Sequence, residues 1–254
     1  MTVIRYRLPA GERFTIEART RERVVVGSDE LLDLEVSFVL ACEVVAVDGD
    51  VADISGRFGD AVVSGHVLGG RPPDLGPLDG LVIGVRKGVD GRVHKVDGGE
   101  AFEALLGGLT VANGLRWFGA VFPAGEVALG TQWAESDRWV LRAAATPIGV
   151  DLPVEPVVNL TYRYRLEGVS DGAVEIGVEV EAHGATVSDA LGLELTVSGH
   201  GTGSIIVDAH AGKLTRSRRE ARFDVVARPQ RRNALALPPM RIERSADAGF
   251  TDAT

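Results

Sequence analysis

Apolar and polar residues alternate along several long stretches of this chain, and this alternation restricts it to folds built mainly from β-strands. One face of the longest stretch carries Leu34, Val36, Phe38, Leu40, Cys42, Val44 and Ala46. Residues 160–167 and 174–181 alternate in the same way. Strands of this kind bury one face and expose the other, which is typical of antiparallel sheets rather than of βαβ units.

Turn signals follow these strands at similar intervals in the two halves of the chain. Predicted turns end at Gly49, Gly91, Gly172 and Gly212, and the first three of these glycines follow an aspartate. Asp-Gly between apolar runs favours a β-hairpin, because glycine adopts positive φ without steric cost. The interval from Gly49 to Gly91 nearly equals that from Gly172 to Gly212, which favours a duplicated β unit.

Residues 100–118 depart from the alternating pattern. Their apolar residues recur at steps of three and four, with several glycines between them, and this spacing predicts one or two short helices. A helix inserted between two β-rich halves can cover the apolar face of a sheet.

The predicted fold is therefore mainly β, with two similar antiparallel halves that form one strongly curved sheet or half-barrel and a short helical insert on its concave face. The alternative is two separate β-sandwiches joined at the proline-containing residues 146–158. We divide the chain into a first β repeat (1–97), a helical insert (98–120), a connector with one strand (121–158), a second β repeat (159–226) and a C-terminal tail (227–254). Periodicity is lost beyond residue 226, so we expect the last dozen residues to be poorly ordered.

Net charge and the absence of long apolar runs argue against nucleic acid and the membrane interior as partners. The chain has 27 basic and 36 acidic residues, a net charge of −9, which argues against nucleic acid as a partner. The local basic run Arg216, Arg218, Arg219 and Arg222 is interpreted as a solvated strand face. No apolar run approaches the ~20 residues that span a bilayer, so we expect a soluble protein and not an integral membrane protein.

The N-terminal residues have no apolar core of a signal peptide, so the expected location is the cytoplasm, or outside it if a signal precedes this sequence. The one cysteine, Cys42, falls on the apolar side of the longest alternating stretch. It is interpreted as a small buried hydrophobic residue.

Three patterns that could indicate catalysis or a cofactor have simpler explanations. The glycine-rich run at residues 199–203 precedes a strand rather than the helix that a phosphate loop needs, so it is interpreted as a glycine-rich hairpin or bulge. His200, Asp208 and His210 lie close in sequence, but a zinc site usually needs three or four ligands. Asp208 is explained more simply as a turn residue, and the spacing places no further ligand beside the histidines. The pattern Gly-x-Ser-x-Gly occurs once, at residues 168–172, where it spans a predicted Asp-Gly turn between two strands rather than the strand-to-helix turn that a nucleophilic serine needs. The sequence thus predicts no cofactor, no metal and no enzymatic activity.

Aromatic residues cluster near the middle of the chain, where all three tryptophans fall. The predicted lining of an apolar ligand pocket comprises Phe102, Trp117, Phe118, Phe122 and Trp133. The alternative is that these side chains form a filled core between helix and sheet.

Residues 122–133 carry a resemblance to uncharacterised bacterial β-rich proteins in which a similar segment links two β halves. The matching residues are Pro123, Val127, Gly130, Thr131 and Trp133. Those proteins are similar in outline to the half-barrel LolA and LppX lipoprotein carriers, many are exported or lipid-anchored, and the resemblance implies a half-barrel and a lipid-binding role. This chain differs in having no signal peptide and no lipobox cysteine, and the group contributes no catalytic residues.

Three functions remain open at this stage. The first is a noncatalytic binding protein for a lipid or other apolar small molecule. The second is a structural or protein-interaction domain without a small ligand, and the third is an enzyme whose polar groups converge only in the folded chain. The first two differ in whether the interior is hollow or packed, and alternation alone does not distinguish them.

Overall fold

The computed structural model describes residues 2–99, 118–140, 157–188, 192–231 and 238–252. The strands are β1 (Arg13–Val26), β2 (Asp29–Asp48), β3 (Val51–Val67), β4 (Val82–Gly88), β5 (Val93–Asp97), β6 (Gln132–Val140), β7 (Val157–Ser170), β8 (Ala173–Ser188), β9 (Leu193–Asp208), β10 (Lys213–Pro229) and β11 (Met240–Asp252). A 3-10 helix at Gly76–Leu78 lies between β3 and β4. Within these ranges, no helix has the length and apolar character needed to cross a membrane.

All eleven strands belong to one antiparallel sheet in the order β5-β4-β3-β2-β1-β11-β10-β9-β8-β7-β6. The first five strands form one meander, strands β6 to β10 form another, and β11 joins them by pairing with both β1 and β10. The prediction of a mainly β antiparallel fold is confirmed. Because the hydrogen-bonded ladder is continuous from β5 to β6, the alternative of two separate sandwiches is wrong.

The C-terminal residues differ from their prediction. Met240–Asp252, placed in a poorly ordered tail, form β11 at the centre of the sheet. The inward positions of β11 are Ile242, Arg244, Ala246 and Ala248, all buried. Two alanines and an arginine replace the large apolar residues of an ordinary strand, so the alternation that marks a strand is weak in the sequence.

The sheet curls until its two edge strands lie close together. A flat sheet of this size would separate its edges by about 48 Å, since neighbouring strands lie ~4.8 Å apart. Instead, the guanidinium of Arg92, in the turn between β4 and β5, lies 2.9 Å from the carboxylate of Glu135 on β6. We call the gap between β5 and β6 the seam; it is the open side of the half-barrel.

Alternation directs one face of each strand into a common interior. Val36, Phe38, Leu40, Cys42 and Val44 are buried as predicted. Ala46 is exposed, as are its neighbours Val45 and Val47, because β2 extends beyond the core there; a register shift with β3 falls between Val44 and Ala46. On the second meander, the inward residues of β7 and β8 are also buried: Leu160, Tyr162, Tyr164, Leu166, Val174, Ile176, Val178 and Val180.

The glycine-rich run lies in the middle of β9 and is neither a hairpin nor a bulge, since its pairing with β8 and β10 continues without a register shift there. A Cβ on Gly201 would lie 2.4 Å from the Glu220 carbonyl oxygen, and one on Gly203 would lie 2.7 Å from Cγ of Arg219. The glycines therefore let β10 approach closely and leave space for the inward Arg219 side chain.

The predicted helical insert falls almost wholly on residues 100–117, which lie outside the described residues.

Candidate functional site

The N-terminal residues 2–8 cross one end of the curled sheet. Tyr6 N donates to the Val89 carbonyl after β4, and Arg7 N donates to the Gly212 carbonyl before β10. Strands β4 and β9 run in the same direction, so the turns that follow them lie at the same end of the sheet but on opposite sides of it. The segment spans that end like a bridge, and Thr2 is further tied to Val127 by two backbone hydrogen bonds.

A cavity of about 200 Å³ lies beneath this N-terminal bridge. Its wall is mainly apolar, with Phe14, Ile16, Leu40, Ile54, Val85 and Val93 among the lining residues. The volume exceeds the ~150 Å³ of a dry engineered cavity that holds benzene, and it falls below the ~300–1,000 Å³ of drug-sized sites. The space therefore fits a small apolar molecule or a single short chain.

Three groups with exchangeable protons, Lys87, Tyr6 and Cys42, face the cavity from neighbouring elements. The Lys87 ammonium nitrogen lies 3.7 Å from the centre of the Tyr6 ring, and the same ring stacks on Phe122 with centroids 4.8 Å apart. Enclosure lowers the pKa of Lys87 to about 8, because an apolar environment disfavours the charged ammonium. Burial raises the pKa of Tyr6 to about 12 and that of Cys42 to about 12 for the same reason.

A separate charged group closes the rim of the cavity. Lys213 Nζ lies 2.6 Å from Glu12 Oε1 and 2.6 Å from Asp252 Oδ1. The hydrogen bonds that the Lys213 ammonium donates to the Asp252 and Glu12 carboxylates raise the pKa of Lys213. This triad joins the segment before β1 to the start of β10 and the end of β11, and it pairs one ammonium with two carboxylates.

The seam is occupied by residues 118–122. Phe122 N donates to the Asp90 carbonyl at 2.7 Å, and Trp133 Nε1 donates to the Val121 carbonyl at 2.7 Å. On the interior side, the Arg219 guanidinium donates to the Gly119 carbonyl. Arg219 is 1% exposed, so the interpretation of its basic run as a wholly solvated face is wrong at this position.

The five aromatic residues predicted for the ligand pocket occupy different places. Phe118 lines the cavity. Phe122 lies one layer behind, stacked on Tyr6, and Trp133 stacks on Tyr164 with ring centroids 5.5 Å apart. Phe102 and Trp117 lie outside the described residues. The cavity wall is therefore supplied mainly by aliphatic residues of β1 to β5 rather than by the aromatic cluster.

Sequence reasoning missed Lys87, although a signal was present. Ile83, Val85 and Lys87 alternate along β4, so the cation falls on the face whose other two members are apolar. A lysine in such a position is commonly taken as the polar end of a strand, because Lys87 directly precedes the Gly88 that ends β4. Its position beneath Tyr6 depends on how the N-terminal bridge folds back, which local spacing does not show.

Asp208, considered with His200 and His210 for a metal site, has a structural role instead. Asp208 Oδ1 accepts hydrogen bonds from the backbone N–H groups of His210 and Ala211, each at 2.8 Å, and so caps the turn before β10. Backbone donation lowers the pKa of Asp208. In the part of the chain that the structure describes, no three His, Cys, Asp or Glu side chains come together as a metal site.

Comparison with known proteins gives no relative. No family model matches the chain, and no curated protein matches it in sequence.

Proposed function

We propose that this chain is a noncatalytic binding protein for a small apolar molecule, which occupies the cavity beneath the N-terminal bridge. The observation that carries the proposal is the space itself: about 200 Å³ bounded mainly by apolar side chains at one end of a curled sheet. Apolar surface around such a space loses dispersion contacts when the space is empty, and a ligand restores them.

The groups around the cavity support binding rather than catalysis. The raised pKa of Cys42 keeps its thiol protonated and therefore a poor nucleophile. Glu12, Asp252 and Lys213 are engaged with one another at the rim. The described residues around the cavity do not form a nucleophile with an organised general base.

The second candidate, an interaction domain without a small ligand, receives less support from the surface. The edge strand β5 has only five residues and carries Lys95 and Asp97, features that discourage pairing with another strand. The large exposed apolar side chains are spread over several strands and loops, including Val45, Val62, Leu129 and Val187.

A titration with 1-octanol, followed by calorimetry, tests the proposed function. Val85 lines the cavity, so Val85→Phe should fill part of it and weaken octanol binding by about tenfold or more. Val82 lies on the same strand but is 45% exposed, so Val82→Phe should bind octanol as the wild type does. Absence of octanol binding to the wild-type protein, or unchanged binding by a folded Val85→Phe variant, would favour the interaction domain.

A further inference from the structure

Two of the cations that line the cavity, Lys87 and Arg7, have no carboxylate within ion-pair distance among the described residues, and Lys87 is the less exposed of the two. Lys87 points inward from the end of β4, and the contact given for its ammonium is the face of the Tyr6 ring. Cation–π contact compensates only partly for the hydration that an ammonium loses on burial. An incoming anion would therefore find a donor that has already lost part of its hydration.

The other charged groups near the cavity are engaged in their own contacts or exposed. Asp90, the acid nearest along the chain, acts on Lys87 through its charge, and it is held by Arg92, whose backbone N–H donates to its Oδ1 at 3.0 Å. Asp208 caps the turn before β10, and Arg7 is exposed on the N-terminal bridge. The rim triad of Glu12, Lys213 and Asp252 is internally paired.

From this arrangement we infer that the ligand is a medium-chain carboxylate, whose anionic head pairs with Lys87 and whose alkyl chain lies among Ile16, Leu40 and Ile54. The inference rests on the proposed function and adds the chemical class of the ligand. Charge complementarity selects an anionic head, because Lys87 is a partly buried cation on an otherwise mainly apolar wall. The cavity volume selects one short chain over a diacyl lipid.

Carboxylate binding by Lys87 should depend on pH, because only the protonated ammonium attracts the anion. The bound carboxylate favours the ammonium form and raises the pKa of Lys87 from its depressed value. Binding near pH 9 should consequently take up a proton, whereas binding at pH 6 should not. Affinity for a carboxylate should fall as the pH rises above about 8, while affinity for an alcohol of the same chain length should stay constant.

The test compares octanoate with 1-octanol on the full chain by calorimetry at pH 7. A charge-assisted hydrogen bond in an enclosed site contributes about 1.5–3 kcal/mol, so the wild-type protein should prefer octanoate by about tenfold or more. Lys87→Met keeps a side chain of similar length and should abolish this preference, so that the ratio of octanoate to octanol affinity falls by about tenfold or more. Lys95→Met is the matched control, because Lys95 is exposed on β5 and pairs with Asp97.

The possible results distinguish a wrong ligand class from a wrong function. Preference for octanoate that is lost only in Lys87→Met supports the inference. Equal binding of octanoate and octanol by the wild-type protein, or an unchanged preference in Lys87→Met, overturns the inference and leaves the proposed function standing. Binding of neither compound overturns both.

Discussion

The ammonium of Lys87 lies 3.7 Å from the centre of the Tyr6 ring, and that ring stacks on Phe122 from the seam. This contact joins three parts of the molecule: the end of β4, the N-terminal bridge and residues 118–122. The cation that faces the cavity is therefore held by the same residues that close the end of the half-barrel.

Enclosure of Lys87 should make the stability of the protein depend on pH between about 8 and 10.5. Below this window the lysine is protonated in both folded and unfolded chains, and above it in neither. Within the window the unfolded chain binds more protons, so a rise in pH stabilises the folded state. Relative to Lys87→Met, the wild-type protein should gain up to about 3 kcal/mol in the free energy of unfolding across this window.

Urea unfolding of wild type and Lys87→Met at a series of pH values measures this difference. Tyr6 and Cys42 also titrate in the alkaline range, but both are present in the two proteins and cancel in the difference. Lys95→Met, which removes an exposed lysine, should show no such trend. A pH-independent difference for Lys87→Met would mean that the ammonium is not enclosed.

Burial of Cys42 should make its thiol unreactive in the native protein. Its pKa is raised from 9.0 to about 12, mainly by desolvation. At pH 8 the thiolate fraction should fall by roughly a thousandfold on folding. Reaction with a chromogenic disulfide reagent should be slow in buffer and fast in denaturant, and equal rates in the two conditions would contradict the placement of Cys42 in the interior.

The ion pair between Arg244 and Glu22 should be among the strongest polar contributions to stability. Arg244 Nε lies 2.5 Å from Glu22 Oε2, and the two side chains are only 7% and 16% exposed. Glu22→Gln removes the charge that compensates a buried guanidinium and should lower the free energy of unfolding by about 3 kcal/mol.

Glu243→Gln provides the matched control for this pair, because Glu243 contacts Arg23 at 3.4 Å on the exposed face. It should change stability by less than about 1 kcal/mol. Equal losses in the two variants, measured by urea unfolding, would show that the burial of the Arg244 pair has no energetic consequence.

The central glycines of β9 should tolerate no side chain. A Cβ on Gly201 would lie 2.4 Å from the Glu220 carbonyl oxygen, which belongs to the backbone and cannot move aside cheaply. Gly201→Ala should destabilise the protein by about 2–3 kcal/mol. Gly249→Ala meets nothing within 4 Å and should stay within about 1 kcal/mol of wild type in a thermal unfolding experiment.

Much of the sheet was predictable because it depends on local alternation. β2, β7 and β8 carry apolar residues at every second position, and their inward faces are buried as predicted. β11 was missed because Ala246 and Ala248 fill the narrow centre of the sheet, where a strand signal based on large apolar residues fails.

The cavity was harder to predict than the sheet. Its volume depends on residues from eight strands and on the path of residues 2–8, and no spacing rule relates these parts. Lys87 could have been noticed as a cation on an apolar face, but its partner Tyr6 is distant in sequence. The aromatic cluster was a good guide to the seam at Phe122 and Trp133, and a weaker guide to the cavity, where only Phe118 of the described members lines the wall.

The most direct test of the central claim is a crystallographic experiment with 1-bromooctane. Diffraction data collected at the bromine absorption edge locate the halogen without any assumption about the ligand's pose. We predict an anomalous peak in the cavity, next to Ile16, Leu40 and Ile54, and its loss in crystals of Val85→Phe. A wild-type structure without bromine there, with side chains filling the space beneath the N-terminal bridge, would contradict the account.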